Sequence, residues 1–330
     1  MEQAIRDRFN DNILAATAHR YNLQPTDLEF HGGFESFIYT FTQNNKPYIL
    51  RLTHSRRRTP NLIHAEIDWL HYLAQNGAAV AAPYPSAHNN LVEQIPDDHD
   101  GHFLATAFDR APGTHATGDK RTPQLIHDWG AALGQMHHLA QNYTPTNPHW
   151  QRPHWDSPDI FDLNALIPPA DTRILDHAHQ LINQLQQLPR SPQTYGLVHQ
   201  DAHAGNFFVT DDGKLTFFDF DDSAYTWFAN DIAIVLFYAA SSPMVKPQQM
   251  IPDFMHTFMT GYHTQHQLPA DWWQPIPQFL KLREILLYAV INRSFTPDNM
   301  PGWPKWFMKK RRQRLENNTP YFDIDFSFLQ

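Results

Sequence analysis

The sequence predicts an α+β fold of two lobes: a small N-terminal lobe with an antiparallel sheet and one key helix, and a larger, mainly helical C-terminal lobe. Three observations predict this fold. Residues 37–41 and 48–53 have strand character and flank a turn-forming stretch at 44–47. One helical pattern follows between Thr59 and Gly77. Beyond Gly113, apolar residues recur mainly at three- and four-residue spacing, which indicates helices.

Local signals place the individual elements. Residues 1–20 alternate charged and apolar side chains, which predicts an amphipathic helix and not a signal peptide. The helix after Thr59 has that residue as its cap and Pro60 in its first turn, and it ends at Gly77. The remaining predicted elements are strands at 90–95, 102–108, 196–199, 207–210 and 215–219 and helices at 125–141 and 174–188. The change of character near 108–113 predicts two domains, residues 1–110 and 111–330.

Composition excludes several classes of protein. The net charge of −9 argues against a nucleic-acid partner, which needs a basic face. The chain has no cysteine, so disulfides, thiolate nucleophiles and zinc–thiolate sites are excluded. The longest apolar run, residues 232–240, is too short to span a bilayer. We therefore expect a cytoplasmic protein without a membrane partner.

The stretch at 197–206 carries the most informative motif, Leu-Val-His-Gln-Asp-Ala-His-Ala-Gly-Asn. A strand delivers Asp201 to a loop, Asn206 lies where the chain enters the next strand, and a hairpin returns Asp219 alongside. Asn206 and Asp219 are hard oxygen ligands, which suit Mg²⁺ that also binds phosphate oxygens. Asp201 is then available to accept a proton from a hydroxyl. These are the roles that phosphoryl transfer requires.

The pattern His-x-Asp-x-x-x-x-Asn followed by an aspartate-bearing hairpin resembles the aminoglycoside phosphotransferase superfamily. That group includes choline kinases, homoserine-kinase-type enzymes and kinases with protein substrates. The resemblance implies a protein-kinase-like fold and an ATP- and Mg²⁺-dependent phosphotransferase, with Asp201 as catalytic base and Asn206 and Asp219 as metal ligands. It also implies that Asp231 anchors the catalytic loop. Asp221 is either a partner of the metal site or a turn residue.

The N-terminal lobe contains candidates for the nucleotide-binding parts of such an enzyme. Gly32 and Gly33 precede a strand, and glycines allow the backbone to approach phosphate closely; Ser36 lies at the tip of this loop. Arg51 stands where the family commonly has lysine, and it keeps the positive charge. Glu66 lies on the apolar face of its helix, and because a buried carboxylate needs a partner, we expect it to bind Arg51.

The connector between the lobes resembles the hinge with which the family binds adenine through backbone hydrogen bonds. Its candidate residues are Phe108, Asp109 and Ala111. By the same resemblance, residues 1–110 form the nucleotide-binding lobe and residues 111–330 the catalytic and acceptor-binding lobe.

The acceptor is less well specified. An acidic, aromatic site would suit a cationic amino alcohol through cation–π contact, and a homoserine-like or aminoglycoside-like compound fits as well. A protein serine or threonine stays open as the acceptor. Candidate acceptor-binding residues are His203, Asp222, Trp227 and Glu284.

Two other functions are compatible with parts of the sequence. A non-catalytic pseudokinase is favoured only by Arg51 in place of lysine. A two-histidine, one-carboxylate iron site is suggested by His199 and Asp201 with His256 or His263. The iron site would leave Asn206 and Asp219 without a role.

Overall fold

The computed structural model describes residues 3–33, 35–117, 121–158, 162–242, 244–296 and 298–326. The chain forms two compact units. The first comprises residues 1–116, 142–152 and 205–221, and the second comprises residues 117–141, 153–204 and 222–330. The domain division at residues 110 and 111 stays a prediction.

The first unit is built on a six-stranded antiparallel sheet. Its order is β1-β2-β3-β6-β4, with β5 also paired to β6. These strands are β1 (Glu29–Gly32), β2 (Phe37–Gln43), β3 (Lys46–His54), β4 (Pro83–Tyr84), β5 (Glu93–Pro96) and β6 (His102–Asp109). The other elements of this unit are α1 (Gln3–Arg6), α2 (Asp11–Arg20), α3 (Pro60–Gln75) and the hairpin of β8 (Phe207–Val209) and β9 (Leu215–Phe217).

Strand alternation divides the core of this unit between the two faces of the sheet. Phe103 and Ala105 of β6 pack with residues of α1 and α2 on one face. Leu104, the residue between them, packs with Ile63 and Ile67 of α3 on the other face. Because successive side chains point to opposite faces, α3 covers one side of the sheet and the N-terminal helices cover the other.

The second unit is mainly helical. Its helices are α4 (Pro123–Ala140), α5 (Leu163–Leu166), α6 (Thr172–Leu185), α7 (Phe228–Ala240), α8 (Pro247–Tyr262), α9 (Ile276–Ser294), α10 (Gly302–Met308) and α11 (Arg311–Glu316). Its strands are β7 (Tyr195–Val198) and β10 (Ala224–Trp227), which pair with each other. Glycines bring α4 and α8 close together, since a Cβ on Gly130 would lie 1.9 Å from the Phe258 carbonyl oxygen.

The structure corrects one prediction and adds short elements. The single helix expected over residues 1–20 is broken, because the Asn10 side chain accepts hydrogen bonds from two backbone N–H groups and caps a new helix, α2. Strands β1, β4 and β10 have at most four residues each, too few for a periodic pattern. The predicted α+β class is confirmed. Within the described part of the chain, none of the helices has the length and apolar character to cross a membrane.

Candidate active site

A cavity of about 370 Å³ lies in the first unit. Much of its wall is apolar and comes from strand residues such as Ile38 and Ile49 and from Ala81 and Phe220. Its polar lining residues are His31, Thr40, Arg51, Glu66, Asp109, Arg110, His115 and Asp219. An apolar slot with a few charged groups is the usual form of a small-molecule site.

Arg51 and Glu66 form a buried bidentate ion pair in this cavity. The two nitrogen–oxygen distances are 2.8 and 2.7 Å, and the side chains are 8% and 1% exposed. Burial would lower the pKa of Arg51, but the Glu66 carboxylate more than offsets this and the pKa is raised. The Phe108 ring lies 5.2 Å from the guanidinium carbon. The structure therefore brings Arg51 and Glu66 together as expected, and it fixes the guanidinium in one orientation.

The glycine loop between β1 and β2 has the backbone that its sequence suggests. Gly32 and Gly33 have φ angles of 118° and 129°, which side chains rarely adopt. A Cβ on Gly33 would lie 1.9 Å from the Ser36 carbonyl oxygen. The Ser36 hydroxyl is 2.8 Å from that of Thr53, so the loop is tied to β3. We call Gly32, Gly33, Glu35 and Ser36, the described residues of this loop, the phosphate loop after the role predicted for it.

The hinge candidates Phe108, Asp109 and Ala111 all line the cavity at the end of β6. The Asp109 N–H donates to the Ala82 carbonyl oxygen over 2.8 Å, and the Asp109 carboxylate binds Lys46 at 2.8 Å. These bonds hold the connector against the sheet edge.

Asn206 and Asp219 lie at the same end of the β8–β9 hairpin. The N–H of Phe218, next to Asp219, donates to the Asn206 carbonyl oxygen over 2.9 Å. Asp219 has a φ of 68°, a left-handed conformation that non-glycine residues adopt mainly where the structure requires it. Both side chains offer the oxygen donors that Mg²⁺ prefers, so this pair fits a magnesium ion that takes its other ligands from phosphate and water.

Asp221 is held by arginines. Arg57 Nη2 lies 2.5 Å from its carboxylate, two nitrogens of Arg58 lie 3.4 Å away, and Arg152 donates to its carbonyl oxygen over 2.6 Å. Burial would raise the pKa of Asp221, but Arg58, Arg57 and Arg51 hold it well below its ordinary range. Asp221 is therefore part of an ion cluster and more than a turn former. Arg57 and Arg58 carry no sequence motif that predicts this role.

Asp201 lies in the second unit, just after β7. The preceding residue, Gln200, has a φ of 67°, and its N–H donates to the Asp231 carboxylate over 2.9 Å. His137 Nε2 lies 3.2 Å from the second Asp231 oxygen. The Ala202 carbonyl oxygen accepts from the Trp129 indole over 3.0 Å. These bonds pin the loop on both sides of Asp201.

The Asp201 carboxylate has a cationic neighbour that its sequence motif does not predict. Arg283, on α9, binds one carboxylate oxygen and also the Tyr238 hydroxyl, the latter at 2.7 Å. His203 Nε2 lies 3.3 Å from the other carboxylate oxygen. Burial would raise the pKa of Asp201, but Arg283 and His203 hold it well below its ordinary range. Asp201 is thus a carboxylate anion at neutral pH.

The four acceptor candidates differ in their surroundings. His203 packs on Tyr238 with ring centres 4.3 Å apart, and Asp222 is exposed. Trp227 is fully buried, and its indole donates to the Pro189 carbonyl oxygen. Glu284 is also fully buried and binds Lys281 and Arg311. Trp227 and Glu284 therefore have no surface to offer an acceptor.

Comparisons with known proteins identify a family and a relative of this chain. The model of the phosphotransferase enzyme family matches residues 27–271. Amicoumacin kinase of Bacillus subtilis (strain 168) is 36% identical over 322 residues, which cover 97% of this chain and 96% of that protein.

Solved structures show the same fold. An amicoumacin kinase in complex with AMP-PNP, Ca²⁺ and Ami superposes with a TM-score of 0.94 at 33% identity, and each chain is fully covered. A microcompartment-associated aminopropanol kinase has a TM-score of 0.73 at 20% identity, with 94% of this chain and 98% of that chain covered. At 20% identity, the similarity to the aminopropanol kinase supports the fold alone.

These findings decide between the functions that the sequence left open. The family match contradicts the iron-site alternative. Within the described residues, no group of three or more His, Cys, Asp or Glu side chains is placed to hold a metal ion. The resemblance noted in the sequence, the kinase-like fold and the small-molecule kinase activity are confirmed. The chain is a kinase and belongs to the phosphotransferase enzyme family.

Proposed function

We propose that this kinase transfers the γ-phosphoryl group of ATP, with Mg²⁺, to a hydroxyl group of amicoumacin or a closely similar small molecule. The observation that carries the proposal is the buried Arg51–Glu66 pair in a cavity that Asp219 also lines. A fixed cation and a metal-binding carboxylate in one apolar slot suit a nucleotide triphosphate.

The nucleotide would lie in the cavity of the first unit. Its adenine would pack on the apolar wall and bind the backbone of residues 108–111. The phosphate loop, with Gly32, Gly33 and Ser36, would cover the phosphates, and Arg51 would bind them. Glu66 holds Arg51 in place, so little side-chain entropy is lost on binding.

Asn206 and Asp219 would hold the magnesium ion. When bound, the ion neutralises charge on the phosphate oxygens. Because Asn206 is 8% exposed and the hairpin fixes the backbone beside Asp219, these two residues need little rearrangement to accept it.

Asp201 would orient the acceptor hydroxyl and accept its proton. The hydroxyl oxygen forms a bond to the γ-phosphorus, the bond to the bridging oxygen of ADP breaks, and the proton passes to Asp201. A carboxylate with a lowered pKa is a weak base, which suits a reaction in which the proton leaves late. No covalent enzyme intermediate is expected.

The acceptor assignment follows the relatives. Two proteins at 36% and 33% identity are amicoumacin kinases, and one of them was solved with Ami bound. Of the predicted acceptor residues, we retain His203 and Asp222 and add Tyr238. Tyr238 binds Arg283 through its hydroxyl and packs on the His203 ring, and the Asp222 charge interacts with Arg283.

The test measures ADP release and a product one phosphoryl group heavier than amicoumacin, with and without EDTA. Activity that needs both ATP and Mg²⁺ and is lost in Asp201→Asn supports the proposal. Nucleotide turnover with aminopropanol or spectinomycin but not with amicoumacin would overturn the acceptor assignment. Full activity of Asp201→Asn would remove Asp201 from its role.

A further inference from the structure

The loop between β3 and α3 carries three consecutive arginines, Arg56, Arg57 and Arg58. Arg56 is exposed, whereas the Arg57 and Arg58 side chains are 16% and 14% exposed. Arginine is rarely buried to this extent without partners, so the inner two have a structural or functional task that the outer one lacks.

Arg57 bridges two carboxylates from distant parts of the chain. Its Nε donates to Glu35 over 2.7 Å, and its Nη2 binds Glu35 and also Asp221, the latter at 2.5 Å. The guanidinium fork holds a fixed geometry. It therefore fixes the distance between Glu35 and Asp221, which are 186 residues apart in sequence.

The two carboxylates belong to two different parts of the nucleotide site. Glu35 lies inside the phosphate loop, between Gly33 and Ser36. Asp221 follows the proposed metal ligand Asp219 by two residues, and Arg58 and Arg152 hold it further. A movement of the phosphate loop would thus be transmitted through Arg57 to the segment that carries Asp219.

The charges of this cluster explain why it positions other groups instead of binding phosphate itself. Arg57 binds Glu35 and Asp221, and Arg58 binds Asp221, so the charge of both arginines is directed at carboxylates of the protein. Arg51 and Asp219 are among the cavity-lining residues, whereas Arg57 and Asp221 are not among those described as lining it. We therefore expect Arg57 to act on the nucleotide mainly through the segments it joins.

We propose that Arg57 is a positioning residue that couples the phosphate loop to the Asp219 segment, so that the nucleotide phosphates and the metal ion are bound cooperatively. The inference rests on the proposed use of MgATP at this site. It does not depend on the acceptor.

The first experiment measures the Kd of ATP by calorimetry, with Mg²⁺ and with EDTA, for Arg57→Met and for its matched control Arg56→Met. Arg56→Met removes the same charge from an exposed position of the same loop. Arg57→Met should raise the Kd of MgATP about 10-fold, as expected when a charge-assisted hydrogen bond is lost. It should raise the Kd of metal-free ATP much less, whereas Arg56→Met should change neither value more than about two-fold.

The second experiment is a double-mutant cycle of Glu35→Gln and Asp221→Asn. Their effects on the Kd of MgATP should be non-additive in the chain with Arg57 and additive in the Arg57→Met background. Arg57→Lys should retain the fold but not the coupling, because one ammonium does not hold both carboxylates in a fixed fork. Circular dichroism and thermal unfolding identify any variant that is not folded.

The outcomes separate this inference from the proposed function. If the unmutated chain binds no MgATP, both are overturned. If it binds MgATP but Arg57→Met matches Arg56→Met, or the cycle is additive with Arg57 present, only the coupling role is overturned.

Discussion

Replacing Arg283 with methionine removes the cation that binds Asp201 while keeping most of the side-chain volume. The pair is shielded from solvent, since the two side chains are 13% and 20% exposed. A hydrogen bond to a charged group contributes about 1.5–3 kcal/mol. A tenfold change in rate corresponds to about 1.36 kcal/mol. If all of this hydrogen-bond energy serves to orient Asp201, kcat/KM of Arg283→Met should fall about 10- to 100-fold.

The pH dependence of the same variant has a definite sign. Arg283 lowers the pKa of Asp201, and it acts against burial, which raises this pKa. His203 and His199 are the other groups that lower the pKa of Asp201. Tyr238 and Asp222 are the remaining groups that interact with Arg283. Without Arg283 the pKa of Asp201 rises, and Asp201 becomes protonated at a higher pH. The acid limb of kcat/KM should therefore move to higher pH.

The assay is initial-rate phosphorylation of amicoumacin from pH 5 upward, compared with Arg293→Met, which removes an exposed cation from the same helix. Millimolar guanidinium added to Arg283→Ala should restore part of the rate if the cation itself matters. The reasoning is refuted if the acid limb of Arg283→Met does not move and its kcat/KM stays within two-fold of Arg293→Met.

Three further predictions concern stability, each measured by denaturant unfolding. Glu66→Gln leaves a buried arginine unpaired and should lower the free energy of unfolding by about 3–5 kcal/mol, whereas the exposed Glu29→Gln should change it by less than about 0.5 kcal/mol. Burial lowers the pKa of His266 from 6.5 to about 4. Because the unfolded chain therefore binds a proton at a higher pH than the folded chain, the free energy of unfolding should fall by about 3 kcal/mol as the pH drops from 7 to 4. His266→Gln should lose this part of the decrease. Gly261→Ala would place a Cβ 1.8 Å from the His127 carbonyl oxygen, so it should destabilise the packing of α4 on α8 by about 1–3 kcal/mol or more.

Local signals in the sequence were sufficient for much of the fold and for the chemical motif. The cap at Thr59 and the turn at 44–47 depend on neighbouring residues, and both are present in the structure. The Arg51–Glu66 pair was also predictable, because a carboxylate on the apolar face of a helix needs a partner and a candidate cation lay on the preceding strand.

The contacts that could not be predicted are those between residues distant in sequence. Arg283 lies on a helix with buried neighbours on both sides, which signals an arginine that needs a carboxylate. Its partner Asp201 is 82 residues away, and no spacing rule connects them. Trp227 illustrates the opposite case, since its aromatic character suggested a substrate site but the fold places it in the core.

The charge of the nucleotide cavity leads to a last prediction. The residues described as lining it include two arginines and three carboxylates, and Arg51 is already paired with Glu66. Asp109 is likewise paired with Lys46. ATP without a metal ion would therefore place its phosphates near the Asp219 carboxylate without the ion that offsets both charges. One uncompensated like-charge pair at about 6 Å and an effective dielectric constant of about 20 disfavours binding by roughly 3 kcal/mol. The Kd of ATP in EDTA should thus be about 100-fold above that of MgATP, whereas the Kd of adenosine, which has no phosphate, should not change with Mg²⁺. Equal affinities for ATP and MgATP would mean that the Asp219 charge does not act on the phosphates, and the charge argument would fail.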